Sequence, residues 1–345
     1  MAEKKRNARP FWPRLLGLAL ALTLAGGAAL AWMWRALERY EAATPEAAIL
    51  SCIRAVQAGG EAPEPPYELL PGRFCSEKDY WAAAEKQLAA LPASRDELRF
   101  FRTAQGEAVR YTVTAQEGQK AEFLLYPQQG GWRAWPIAPA LPDYSFTAPA
   151  AARLWVNGVP LSDAEKVGGA AAPGFEALGE TAPQVYTYQV SGLLAPPELT
   201  AESDEGECLV EWSGERAAHV EVRLAGEAAD ELAAFLERAA RVYAAFVSSD
   251  AAFSELSPLL VKDTAFYHDL RTFDSHWYVS HDSVEFEEMQ VLELASAGGE
   301  AASGTVSFTY VVKKEGLKPR SYPSCYRMCA VRRDGAWRLL ALQVK

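Results

Sequence analysis

The chain has 345 residues, half of them hydrophobic and 23% charged, which is enough for two or three folded cores. Its net charge is −11. An acidic body of this kind excludes nucleic acid as a partner, because phosphates require a basic face.

The first 14 residues run against that balance, with Lys4, Lys5, Arg6, Arg9 and Arg14 set against Glu3 alone. Leu15 to Trp34 then runs uncharged, a length of roughly 30 Å as a helix and so the thickness of a bilayer core. Phe11, Trp12, Trp32 and Trp34 mark its two ends, where amphipathic rings prefer the interface. The expectation is a cytoplasmic tip (1–14), a single-pass signal anchor in the cell membrane (15–34) and an extracytoplasmic body. Ala29-Leu30-Ala31 also fits a cleavage site, and a cleaved signal peptide would leave the body in the same compartment.

Thr44-Pro45-Glu46 starts a helix, and Ile49, Cys52, Ile53 and Val56 give it an apolar face up to Gly59-Gly60. A second helix begins near Ser76, with Tyr80, Trp81, Ala84, Leu88 and Leu91 along one side. Beyond Pro92 the period changes to two: Val109, Tyr111 and Val113 alternate with polar residues, then KAEFLLYP and WRAWPI follow as strands. Residues 136–152 contain four prolines and read as a linker. From 153 to 225 the pattern is all-β. Asn157-Gly158 signals a tight hairpin, and VYTYQV, CLVEW and HVEVRL are further strands. Leu232, Phe235, Leu236, Ala239, Val242, Tyr243 and Phe246 then form a helical stripe opening near Asp230. A shorter helix over 253–260 and four strands complete the chain.

The first and last segments end alike, in GGWRAWPI (130–137) and GAWRLLAL (335–342), each after two helices and a meander. That order resembles the nuclear transport factor 2-like family, which shares its cone with ketosteroid isomerase. The resemblance covers roughly 45–145 and 228–345, and it implies a curved sheet wrapped round a long helix to leave a pocket. The whole layout is similar to the teicoplanin-resistance-associated membrane proteins, although no Cys precedes Leu15 and their cytoplasmic zinc ribbon is missing. The expected fold is therefore α+β. A transmembrane helix precedes two cone-like domains (44–145 and 228–345), which flank a β-rich, sandwich-like domain (153–225).

Three of the four histidines, His268, His276 and His281, fall within YHDLRTFDSHWYVSHD. Metal binding, acid–base chemistry and a polar aromatic rim are the alternatives. His276 and His281 lie five apart, which points two strand side chains to opposite faces and does not match zinc-ligand spacing. The rim is the plain expectation for such a loop. The cone resemblance places this crossing at the pocket mouth, so Tyr267, His268, Trp277, Tyr278 and His281 would line a ligand site. No catalytic residue, metal or cofactor is assigned: G-x-S-x-G, HExxH, the P-loop, G-x-G-x-x-G and S-x-x-K are all absent. A polyanionic wall polymer would need a basic pocket, with Arg320, Arg327, Arg332 and Arg333 as its candidates. Five cysteines cannot all pair, and a Cys52–Cys75 bridge stays open. The expected function is a non-catalytic binding or scaffolding protein of the bacterial envelope, partnered by the membrane and by a cell-wall ligand or protein. The alternatives are a cone-fold isomerase or dehydratase acting on a small apolar ligand, and a structural spacer.

Overall fold

The computed structural model describes residues 11–59, 69, 72–105, 108–274 and 280–345. The protein is α+β, with one apolar helix at the front and several antiparallel sheets. It divides into two compact units, the first holding residues up to 71 and 75–139, the second holding 72–74 and 140–345.

The first helix, α1 (Phe11–Ala42), buries none of the apolar span that runs through it, although leucine and tryptophan dominate its surface. Its one mid-span hydroxyl, Thr23, donates back to the Ala19 carbonyl at 2.8 Å, the bond open to a hydroxyl with no water beside it. Thr44 caps α2 (Pro45–Gln57) by accepting from the Ala47 amide at 3.3 Å. Ser76 caps α3 (Glu77–Leu88) in a capping box with Asp79. Four antiparallel strands follow in sequential order: β1 (Leu98–Gln105), β2 (Ala108–Ala115), β3 (Lys120–Gln128) and β4 (Gly131–Ile137). Period-two burial along β2 and β3 sends Tyr111, Val113, Phe123 and Leu125 into a core shared with Ile49, Ile53 and Leu88.

The 136–152 segment is a linker only in part: β4 runs to Ile137, and the division between the two units falls after Pro139. Its residues 144–149 form β5 (Tyr144–Pro149), which is buried at Tyr144, Phe146 and Ala148. The prolines sit where they cost no ladder bond, Pro139 and Pro142 before the strand and Pro149 at its last residue. β6 (Ala152–Val156) and β7 (Val159–Pro160) form the expected hairpin, with Asn157 and Gly158 both at positive φ. The strands β8 (Lys166–Ala171), β9 (Gln184–Val190), β10 (Leu199–Ser203), β11 (Glu207–Trp212) and β12 (Ala217–Arg223) complete this segment.

The long helix α4 (Gly226–Val247) follows, then the short helices α5 (Phe253–Leu256) and α6 (Ala265–Arg271). The four closing strands are β13 (Ser283–Gly298), β14 (Ala301–Lys313), β15 (Arg320–Arg333) and β16 (Ala336–Val344). They continue the sheet already begun. Its path runs β16-β15-β14-β13-β12-β5-β9-β8, and β12 meets β13 antiparallel and β5 parallel. Glu288 and Glu293 adopt positive φ beside two register breaks in β13, so the strand bends over α4. Leu232, Leu236, Ala239, Val306, Met328 and Leu339 fill the space between helix and sheet. Gly304 lets them meet, because a Cβ there would lie 2.6 Å from Leu236 Cδ1.

No disulfide joins any two cysteines, so the Cys52–Cys75 bridge does not form. Burial pushes the Cys52 thiol up to about 12 and the Cys329 thiol up to about 11. At pH 8 a pKa near 12 leaves Cys52 about a thousandfold less thiolate than an ordinary thiol. Mild alkylation of the folded chain should therefore modify Cys75, Cys208 and Cys325 and spare Cys52 and Cys329; peptide mass mapping reads the result.

Candidate functional site

The structure describes Tyr267, His268 and His281 of the five expected ligand residues. Tyr267 and His268 sit on α6, a helix capped by Thr264, rather than on a loop. Tyr267 is half-buried and stacks edge-on against Phe253 at 5.4 Å, which makes it packing for α5. His268 is exposed. His276, Trp277 and Tyr278 lie outside the described residues. Among the described candidates, His281 enters a built polar cluster.

That cluster forms where α4 ends. Ser248 is the helix C-cap, and Ser249 takes the left-handed φ of 68° that turns the chain back. The turn brings Asp250 beneath the sheet. Its Oδ1 lies 2.8 Å from His281 Nε2. On Oδ2 converge Ser248 Oγ at 2.6 Å and the Tyr310 hydroxyl, from β14, at 2.8 Å. The two hydroxyls also touch each other at 2.8 Å. Burial on its own would raise the Asp250 carboxyl, but the bonds from Ser248, Tyr310 and His281 outweigh it and hold the group below its usual value. An ionised carboxylate only accepts, so His281 Nε2 is the donor to Asp250. Burial also pushes the Tyr310 hydroxyl up to about 12, which keeps it a donor throughout the physiological range.

This is an imidazole oriented by a carboxylate, an arrangement that raises the basicity of the ring. The charge has a measurable consequence. Because the folded-state pKa of Asp250 is depressed, its stabilisation is fully present above the unfolded carboxylate value and is lost as pH falls through the folded one. The stability difference between the parent and Asp250→Asn should be constant from neutral pH to about pH 5 and shrink below about pH 4. Urea unfolding at a series of pH values measures it.

Asp250, Ser248 and Tyr310 escape a sequence reading. Ser-Ser-Asp at the end of an apolar helical stripe signals a cap, but nothing local connects it to His281, 31 residues on.

A second concavity, of ≈410 Å³, opens beside the start of α4. Glu205 closes one wall by accepting from the Ser296 hydroxyl and, at 2.9 Å, from the Gly299 amide. Arg332 pairs with Glu231 and stacks 5.4 Å from the Trp337 ring centre. With Asp204 and Glu300 also in the lining, the cleft is acidic. The four arginines named as a polyanion pocket do not converge. Arg320 and Arg333 stand at opposite ends of β15, about 43 Å apart along an extended strand, and Arg332 is taken by Glu231. Among the described residues no group of three His, Cys, Asp or Glu side chains is placed to hold a metal ion.

No protein-family model matches the chain, and no curated protein does. Among solved structures, a chain described as an Ntf2 like protein involved in plasmid conjugation superposes with a TM-score of 0.26 at 10% identity, covering 72% of this chain and 76% of that one. At that TM-score the likeness carries no inference about this chain.

Proposed function

We propose that the protein is a membrane-anchored, extracytoplasmic binding or scaffolding protein of the bacterial envelope, without catalytic activity of its own. The observation that carries the proposal is α1. It holds a span of 28 residues, Leu15–Ala42, long and apolar enough to cross a bilayer, and none of that span is buried within the protein. The cations before it keep its N-terminus in the cytoplasm under the positive-inside rule. In this proposal residues 44–145 and 228–345 are cone-like, and the His281–Asp250–Tyr310 cluster belongs to the rim where an envelope ligand docks.

Protease added to intact cells should remove everything beyond Trp34, while the fragment holding α1 stays in the membrane pellet through alkaline carbonate. A body left uncut on intact cells and cut only after lysis would reverse the orientation and end the envelope role. For the ligand, the detergent-solubilised full chain is melted with muropeptides and with teichoic acid fragments. A rise in Tm that His281→Ala removes supports docking at the rim.

The carboxylate-oriented imidazole favours one second proposal, a cone-fold isomerase or dehydratase with His281 as base. Proton exchange from an acidic C–H substrate, lost in His281→Asn and in Asp250→Asn, would establish it. Parent and variants equally inert would remove it.

A further inference from the structure

The closing sheet carries the same irregularity twice. In β13, Glu288 and Met289 together stand opposite Phe308, and five residues on Glu293 and Leu294 together stand opposite Gly304. In each bulge the second residue packs against the α4 core, and the first is a glutamate at a φ of 54°. That backbone region favours glycine, so each glutamate is held there under strain. Glu293 is engaged: its carboxylate accepts from the Thr305 hydroxyl at 2.8 Å and lies 3.6 Å from Lys345 Nζ. Glu288 stands in the same relation to Thr309, yet among the described residues no hydrogen bond or ion pair reaches the side chain of either.

The open bulge overhangs a groove of ≈720 Å³ on the face of the sheet away from α4. Val306, Phe308 and Tyr310 point into the α4 core, so Ser307 and Thr309 between them point out into the groove. Gln290, Ser307 and Cys325 make one row across three strands, about 10 Å from end to end. Glu288 stands on the β13 side and Lys345 on the β16 side. Among the described residues the side chains of Gln290 and Ser307 have no bonded partner either. An anion entering this groove meets Glu288, and an apolar ring finds a floor of hydroxyls. Among the described residues no three side chains are placed to hold a metal ion. Two hydroxyls, an amide and a carboxylate both donate and accept, which suits a neutral ligand carrying several hydroxyls.

We propose that this groove binds a saccharide, with Glu288, Gln290, Ser307 and Thr309 taking its hydroxyls. A saccharide there deepens the binding reading above, on which it rests, and gives the envelope ligand a class and a place other than the His281 rim. It also accounts for a glutamate where glycine would lie without strain: the carboxylate serves the ligand and not the fold.

The test uses the full chain in a detergent without a sugar headgroup, with chitotriose, maltotriose and cellotriose as probes. Cys325, in the groove lining, is the reporter. At about tenfold excess over its Kd, a bound trisaccharide should slow alkylation of Cys325 about tenfold and leave Cys75 and Cys208 unchanged. Glu288→Gly should abolish that protection while melting at or above the parent temperature, because glycine takes a φ of 54° freely. Glu288→Gln keeps the backbone strain, removes the charge and should weaken binding about tenfold. Protection of Cys325 by none of the three probes would overturn the groove. So would protection that both Glu288 variants leave intact, or a Glu288→Gly chain that melts below the parent. Binding that spares Cys325 and is lost in His281→Ala would place the ligand at the rim and overturn the groove alone. The orientation of the anchor enters none of these readouts, so a reversed anchor leaves the groove standing.

Discussion

Gly206→Ala should cost the second unit about 3 kcal/mol or more, a fall in Tm of roughly 6–12 °C for a body of this size. The turn between β10 and β11 passes so close to the end of β12 that a Cβ on residue 206 would lie 2.0 Å from the Arg223 carbonyl oxygen and 2.9 Å from its carbon. Both atoms are backbone, so no rotamer change relieves the clash. The same turn carries Glu205, whose carboxylate holds the Ser296 hydroxyl and the Gly299 amide of the β13–β14 hairpin. Displacing the turn therefore pulls on two strand connections at once. Gly168→Ala is the control, since a methyl group added there would have no atom within 4 Å and its φ is not left-handed. That variant should be neutral or gain a few tenths of a kcal/mol from a stiffer unfolded chain. Circular dichroism melts of the full chain in detergent compare the two.

Asp250→Ala is the second large effect expected, about 3 kcal/mol. The carboxylate is the common acceptor for Ser248, Tyr310 and His281. Ser248 is only 2% exposed and Tyr310 4%, so both hydroxyls lose a charged acceptor in a shielded place, although Ser248 Oγ keeps the Ala244 carbonyl at 3.0 Å. Asp250→Asn keeps one acceptor oxygen and the shape, and should cost about half as much. If Asp250→Ala melts with the parent, the cluster is not holding the end of α4 and the rim assignment of His281 loses its support.

Much of the fold is written in short-range signals. Thr44-Pro45 and Ser76 with Asp79 announce their helices because a cap is satisfied within three residues. Asn157-Gly158 announces its hairpin because only such residues accept both positive φ values cheaply. Strands escape notice where pattern and environment disagree. Among the described side chains of β1 only Leu98 is buried, and Phe101, 56% exposed, follows Phe100 and hides the alternation. β5 is masked by the prolines around it, and β8 has little to show beyond glycine and alanine. α6 is short and buries only Leu270, so its amphipathic signal is a single residue.

The site is less legible than the fold for a physical reason. A hydrogen-bonded cluster draws on residues that the sheet brings together, and Ser248, Asp250, His281 and Tyr310 span three elements. The histidine-rich stretch marks the right neighbourhood, yet three histidines near one another in sequence do not meet in space by that fact alone. What selects His281 is a carboxylate 31 residues earlier, just past the end of α4.

The parallel contact between β5 and β12 has a cost in time. Thr147 meets His219 at 3.1 Å across 72 residues of chain, and the Ser145 amide waits for the Arg216 carbonyl. At about 5–20 residues per second, a ribosome needs roughly 4–14 seconds to make that stretch. For that interval one side of β5 is an open ladder in a nascent chain, free to recruit the wrong strand. The vulnerable moment in producing this protein is thus the birth of one strand well before its neighbour, and a holding factor acting over residues 144–217 should raise its yield more than any aid to the apolar rod.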